Sequence, residues 1–210
     1  MVLRATVRRL DALLRRYYRI HEFSQDQDCL LRLAVIPAPR SLALRDRVTI
    51  ARGEPVGDLH LWNERVPPIP PEGPGLAWAV SFHRRLRRSL EELAARVEVD
   101  PAYQHLRAFR AVGTLPVRGG GQEAGGWSVL ACRFGFEPAA GPDPAGLWPR
   151  FLEFWENAFN LALVWAYNPA SLRSRPFSRL RRVQFWMSRE TLLARYGRSD
   201  RAVALFLSRR

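Results

Sequence analysis

The stretch from Asp46 to Glu64 constrains the fold more than any other part of the chain. It reads DRVTIAR, then GEPVGD, then LHLWNE. Two short runs rich in β-branched and apolar residues, flanking a break that contains glycine, predict an antiparallel hairpin with strands at 46–52 and 59–64. Gly53 and Gly57 supply the permissive backbone for the turn. Alternation puts Val48 and Ile50 on one face of the first strand, and Leu59, Leu61 and Asn63 on one face of its partner. His60, Trp62 and Glu64 then share the opposite face. Further strands are predicted at 29–36, 111–117, 127–136 and 183–187. Helices are predicted at 3–21, 76–97, 101–109, 147–167 and 189–196. Hairpins outnumber strand–helix–strand units, so the expected class is α+β: a mostly antiparallel sheet of five to six strands with helices packed on one face. A length of 210 residues can bury a core without disulfide or metal, and the expected layout is one domain over 1–197 with a basic tail at 198–210.

The helices carry their own signatures. Leu76, Val80, Leu86, Leu90, Leu93 and Val97 recur at helical spacing as a buried stripe. Arg84, Arg85, Arg87 and Arg88 lie in the middle of that helix, and Glu91 and Glu92 follow at i,i+4 reach of two of them. Ser188 reads as the N-cap of the last helix and Gly197 as its C-cap. The apolar stretch 147–167 holds Arg150, Glu153 and Glu156, so its uninterrupted part is too short to cross a bilayer. Arg4, Arg8, Arg9, Arg15 and Arg16 interrupt any signal-peptide core, which predicts a cytoplasmic protein or one peripheral to the membrane.

Little in the chain signals cofactor chemistry. Cys29 and Cys132 sit in apolar, strand-like runs and are expected as buried, reduced thiols, with a disulfide between them the alternative that two cysteines leave open. No Cys/His spacing fits a metal, and no Walker loop, dinucleotide fingerprint, HExxH helix or GxSxG elbow occurs. The loop RGGGQEAGG lacks the Lys-Ser/Thr ending of a phosphate loop. No cofactor and no metal are therefore expected. His60, with Glu64 as its orienting carboxylate, is the candidate general base, which would make the chain a hydrolase or transferase on a phosphorylated or sugar substrate. The competing reading makes His60 a structural hydrogen-bonding residue beside Trp62, with Asn63 tying down the following loop.

Charge points elsewhere. Against 20 acidic residues stand 33 basic ones, a surplus of +13, and every basic residue is arginine. Composition explains the missing lysines, but exchanging Lys for Arg conserves charge and leaves the surplus standing. An anionic partner is the functional reading. Two places concentrate it: the amphipathic helix 3–21, with Arg4, Arg8, Arg15 and Arg19 opposite Leu3, Val7, Leu10 and Leu14, and the segment holding Arg173, Arg175, Arg179, Arg181 and Arg182 with no acid among them. The helix reads first as one that packs its apolar stripe on the sheet and solvates its arginines, and otherwise as one that lies on an anionic membrane. The arginines of the second segment either hold an anion or pair with Glu98, Asp100 or Glu137. A membrane surface or an envelope polymer ranks above nucleic acid, whose recognition signatures are missing.

Gly57, Leu59, His60, Leu61 and Asn63 within GEPVGDLHLWNERV, together with the ending FWMSRETLLARYG, resemble the YkoP-like family of small bacterial proteins of unassigned activity. The resemblance extends over most of 1–197, and similar segments are appended to some polysaccharide deacetylases. It implies an accessory domain in a cell-envelope carbohydrate context rather than a deacetylase, because the metal motif of those enzymes is missing. The family offers no established catalytic residues, but His60 and Asn63 match its pattern.

Overall fold

The computed structural model describes residues 13, 16–62, 64–70, 73, 75–116, 127–139 and 180–197. Its elements are β1 (Leu31–Pro37), β2 (Leu42–Ala43), β3 (Thr49–Ile50), β4 (Pro55–Leu61), α1 (Leu76–Val99), α2 (Pro101–Gln104), β5 (Ala108–Pro116), α3 (Trp127–Arg133), β6 (Glu137–Ala139), β7 (Leu180–Ser188) and α4 (Arg189–Tyr196). The main sheet has five strands in the order β1-β4-β5-β7-β6, and β2 with β3 forms a separate two-stranded sheet. All pairings in the main sheet are antiparallel except β4 with β5. A parallel pair needs a long crossover, and α1 with α2 supplies it. The expected α+β class, with a mostly antiparallel sheet, is what the chain adopts.

The hairpin expected over 46–64 does not form. β4 starts at Pro55, absorbs GEPVGD and pairs antiparallel with β1, while the strand before it closes only the small β2–β3 sheet. The turn lies at 51–54, where the Glu54 N–H donates to the Ala51 carbonyl (3.1 Å) and Gly53 takes φ +86°. Gly57 has a different task. It is buried in mid-strand, and a Cβ there would stand 2.5 Å from the Phe109 ring. Glycine here makes room for an aromatic side chain on the neighbouring strand, and a glycine serving that purpose looks in sequence like turn punctuation.

The strand expected over 127–136 is instead helix α3 followed by a Schellman ending. Phe136 N–H donates to the Ala131 carbonyl (3.0 Å), Gly135 N–H donates to Cys132 (2.9 Å), and Gly135 takes φ +89°. Cys132 is consequently exposed, contrary to expectation, whereas Cys29 is buried, and burial pushes its thiol pKa up. Gly135→Ala should lower stability by about 1–2 kcal/mol, because alanine resists the left-handed region. A Cβ would also press on the Arg195 side chain at 2.9 Å. Urea unfolding of the two proteins checks this, and unchanged stability would rule out the left-handed ending.

Other boundaries shift. The helix expected over 101–109 stops at Gln104, and residues from Ala108 onward join β5. β7 begins at Leu180 and so takes in Arg181 and Arg182, paired with Leu115 and Thr114. The predicted last helix is confirmed with both caps: Ser188 Oγ accepts from Thr191 N–H (2.9 Å), and Gly197 follows Tyr196. Of helix 3–21, Leu13, Arg16 and Tyr17 are helical, but it does not run to His21: Tyr18 and Arg19 form a turn, Arg19 takes φ +52°, and His21 bridges to Leu33. Residues 3–12, 14 and 15, helix 147–167 and the tail 198–210 fall outside the described residues.

Alternation along the strands gives the sheet two different faces. Leu31, Leu33, Leu59, Phe109, Phe185 and Met187 join Leu90, Leu93, Ala94 and Val97 of α1, Tyr103 of α2, and Leu192 and Tyr196 of α4 in the larger core. The stripe expected on α1 holds from Leu86, partly buried against the core, to Val97, but Leu76 and Val80 are 82% and 59% exposed. Ser89 is fully buried there because both of its bonds are made: Oγ accepts from Leu30 N–H (2.7 Å) and donates to the Arg85 carbonyl (2.8 Å). Val56, Ala108 and Trp186 point the other way and pack with Leu44 and Ile50 of the β2–β3 unit in a smaller core. Asp46 pins that unit to α4, accepting from the Ser188 and Thr191 hydroxyls.

Candidate functional site

Beyond the small core, the second face of the sheet turns polar. Register places Ala34, Asp58, Arg110, Trp186 and Glu137 side by side across all five strands. Two residues along β4 from Asp58, on the same face, stands His60, paired in register with Arg32. Asp58 Oδ2 lies 3.0 Å from His60 Nε2, and Arg110 Nε donates to Asp58 Oδ1 at 2.8 Å. The carboxylate is nearly buried, with side-chain exposure of 9% against 39% for His60. Burial pushes the Asp58 pKa upward, but the hydrogen bonds from His60 and Arg110 and the Arg110 charge outweigh it, holding the carboxyl below its ordinary value of 3.8. Asp58 is therefore ionised and accepts only, so the His60 nitrogen facing it carries the proton.

The carboxylate beside His60 is Asp58, not Glu64. Glu64 lies 3.4 Å from Arg32, which also reaches Glu22 at 3.7 Å. Trp62 follows the end of β4 and is buried between two guanidinium groups, Arg32 at 3.9 Å and Arg65 at 3.3 Å from its ring centroid. Arg65 is anchored in turn by the Asp26 carbonyl (2.6 Å). Asn63, Arg173, Arg175 and Arg179 lie outside the described residues. His21 bonds the Tyr103 hydroxyl and bridges to Leu33, and His83 packs on Phe134, which accounts for both structurally.

Sequence reasoning passed over Asp58 and Arg110. Asp58 was within reach, since a residue two before His60 shares its strand face, but assigning GEPVGD to a turn removed it from the strand. Arg110 carries no local signal, because only the parallel β4–β5 register sets it beside Asp58.

The arginines of α1 pair as expected, Arg87 with Glu91 (3.2 Å) and Arg88 with Glu92 (3.1 Å). Arg88 also meets Asp26 (2.9 Å), and Arg85 meets Asp28 (3.1 Å). The groove lined by Phe23, Asp26, Arg88, Glu92, Arg96 and Val99 includes none of Asp58, His60 and Arg110. Among the described residues, no group of three or more His, Cys, Asp or Glu is arranged to hold a metal, and no helix is long and apolar enough to cross a membrane.

These features define an α+β domain whose five-stranded sheet carries a buried Asp between a His and an Arg on one face. Residues 1–196 match the YkoP domain, and the chain belongs to that family. No curated protein and no solved structure matches it.

Proposed function

We propose that this YkoP domain is an accessory module that binds an anionic partner, a membrane surface or an envelope polymer, through its arginine surplus. One observation carries the reading. Two of the three acids named as partners for the arginine segment are engaged by other arginines: Asp100 lies 2.9 Å from Arg96, and Glu137 meets the Arg45 side chain at 3.6 Å and accepts from the Arg45 backbone N–H at 3.0 Å. Asp26, Asp28, Glu54, Asp58, Glu91 and Glu92 are likewise paired with nearby arginines. A surplus of +13 favours an external counter-charge. The cell-envelope setting is part of the same proposal and rests on the family resemblance.

Sedimentation with vesicles tests the membrane version. The protein should pellet with anionic vesicles, release steeply as salt rises, and ignore neutral ones. Replacing Arg173, Arg175 and Arg179 together by Gln should weaken binding on the order of a hundredfold, at roughly 1 kcal/mol for each arginine near the surface. A polyanionic glycan or polyol-phosphate polymer replaces the vesicles in the second arm. Equal, negligible binding in both arms would overturn the proposal.

A further inference from the structure

We infer that Asp58, His60 and Arg110 form a discrete ligand site on the second face of the sheet, taking a small molecule that carries a hydroxyl group beside an anionic oxygen. The inference rests on these three residues and not on the arginine segment.

Three observations converge. First, the inner nitrogen of His60 is committed: Nε2 faces an ionised, nearly buried carboxylate at 3.0 Å and must donate to it. In the neutral ring the other nitrogen, Nδ1, is then an acceptor, and the ring is 39% exposed. It suits an incoming O–H, and the neutral ring offers an anion no second N–H. Second, Arg110 engages Asp58 from Nε and not from either of its terminal NH2 groups. Those NH2 groups remain for an anionic oxygen, which a guanidinium binds in a planar fork. Third, the two side chains hold opposite oxygens of one carboxylate, Oδ2 and Oδ1, so a hydroxyl acceptor and an anion donor are fixed by one acid on one face of the sheet.

A sheet that needed only packing at this row could continue the apolar pattern of Val56 and Ala108, which share this face one row away. A nearly buried acid that holds a partly exposed imidazole by one nitrogen is instead the way proteins lock the tautomer and direction of a working imidazole. The ligand class follows from the two groups presented. A polyol phosphate or a sugar acid offers both a hydroxyl and an anionic oxygen; glycerol offers only the first and inorganic phosphate only the second.

The test is nuclear magnetic resonance of the whole chain, whose four histidines make His60 assignable. Long-range proton–nitrogen spectra at about pH 8, above the ordinary histidine range, should show His60 protonated on Nε2. Glycerol 3-phosphate or glucuronate should shift the His60 ring and Arg110 Nε–H signals saturably, and the two arms tell a polyol phosphate from a sugar acid. Glycerol and inorganic phosphate should each bind about tenfold or more weakly, each lacking one of the two bonds. His60→Gln, a change at a half-exposed position, should weaken the saturable Arg110 response by about tenfold while leaving the fold intact, and Arg110→Lys should weaken the anion arm without removing the charge. A His60 ring protonated on Nδ1, or no saturable shift with either glycerol 3-phosphate or glucuronate, would overturn the site and leave the three residues a structural ion pair. Vesicle binding, read separately, would be unaffected by that failure.

Discussion

Asp58→Ala should destabilise the domain by about 3–5 kcal/mol, the cost of leaving a buried charge without its partner. The loss comes from what is left behind more than from what is removed. Arg110 has a side-chain exposure of 13% and pairs with Asp58 at 2.8 Å; without the carboxylate its guanidinium stays in a place that water reaches poorly. Asp58→Asn keeps the shape and should cost nearly as much, since an amide supplies only a weak counterweight to the cation. Replacing the pair together, Asp58→Val with Arg110→Leu, should recover most of the loss, because apolar residues of similar volume often substitute for a buried ion pair at no net cost. If Asp58→Ala unfolds at the same urea concentration as the parent chain, the pair is not buried in solution. A double replacement no better than the single one would show that the loss is not electrostatic.

The same residue gives the domain an acid limit. The folded Asp58 has its pKa held below the ordinary 3.8, so its contribution is fully present above that value. It is lost as pH falls through the lower, folded value, where the carboxyl takes up a proton. Asp26 and Asp46 are lowered too: Asp26 chiefly by its bond from Arg88, and Asp46 by the Ser188 and Thr191 hydroxyls and the Val48 N–H against an opposing burial effect. Stability should therefore fall below about pH 4, and the fall should be shallower in Asp58→Asn.

How much of this was legible beforehand differs from element to element, for physical reasons. The last helix was readable to the residue because its signals are local: Ser188 caps from within the first turn, and Gly197 follows the last one. The ion pairs Arg87–Glu91 and Arg88–Glu92 were readable for the same reason, since four-residue spacing on a helix fixes them. Where distant partners decide, local signals misled. Trp127–Arg133 has the β-branched and aromatic content of a strand, yet the glycine at 135 ends a helix there. The contact among Asp58, His60 and Arg110 combines a period-two relation inside β4 with a register between β4 and β5, and those strands are separated by the whole of α1 and α2. No window on the sequence contains both relations.

Phe109→Ala should cost about 3–5 kcal/mol, the range for emptying a fully buried phenylalanine site. Phe109 has 0% exposure and stands at the centre of the larger core, in register with Gly57 on β4. The two positions are shaped for each other, and that makes a sharper test than either alone. Gly57→Ala drives a methyl to 2.5 Å from the ring, a separation that real side chains do not hold, so the ring or the strands must move. Forcing such an adjustment in a packed core costs about 1–3 kcal/mol. With the ring already gone the added methyl has space and even refills part of the cavity, although Leu33 remains near at 3.0 Å. The double variant should therefore be no less stable than Phe109→Ala alone, giving a coupling energy of about 1–3 kcal/mol. Simple additivity in urea unfolding would mean that Gly57 is needed for its backbone and not for the space it leaves. That outcome would return Gly57 to the turn-like role its sequence neighbours suggest. A full coupling would instead establish that the glycine at the head of the family-like pattern Gly57, Leu59, His60 belongs to the packing of the sheet, and that His60, three residues further on, is held on its face by a strand seated against Phe109.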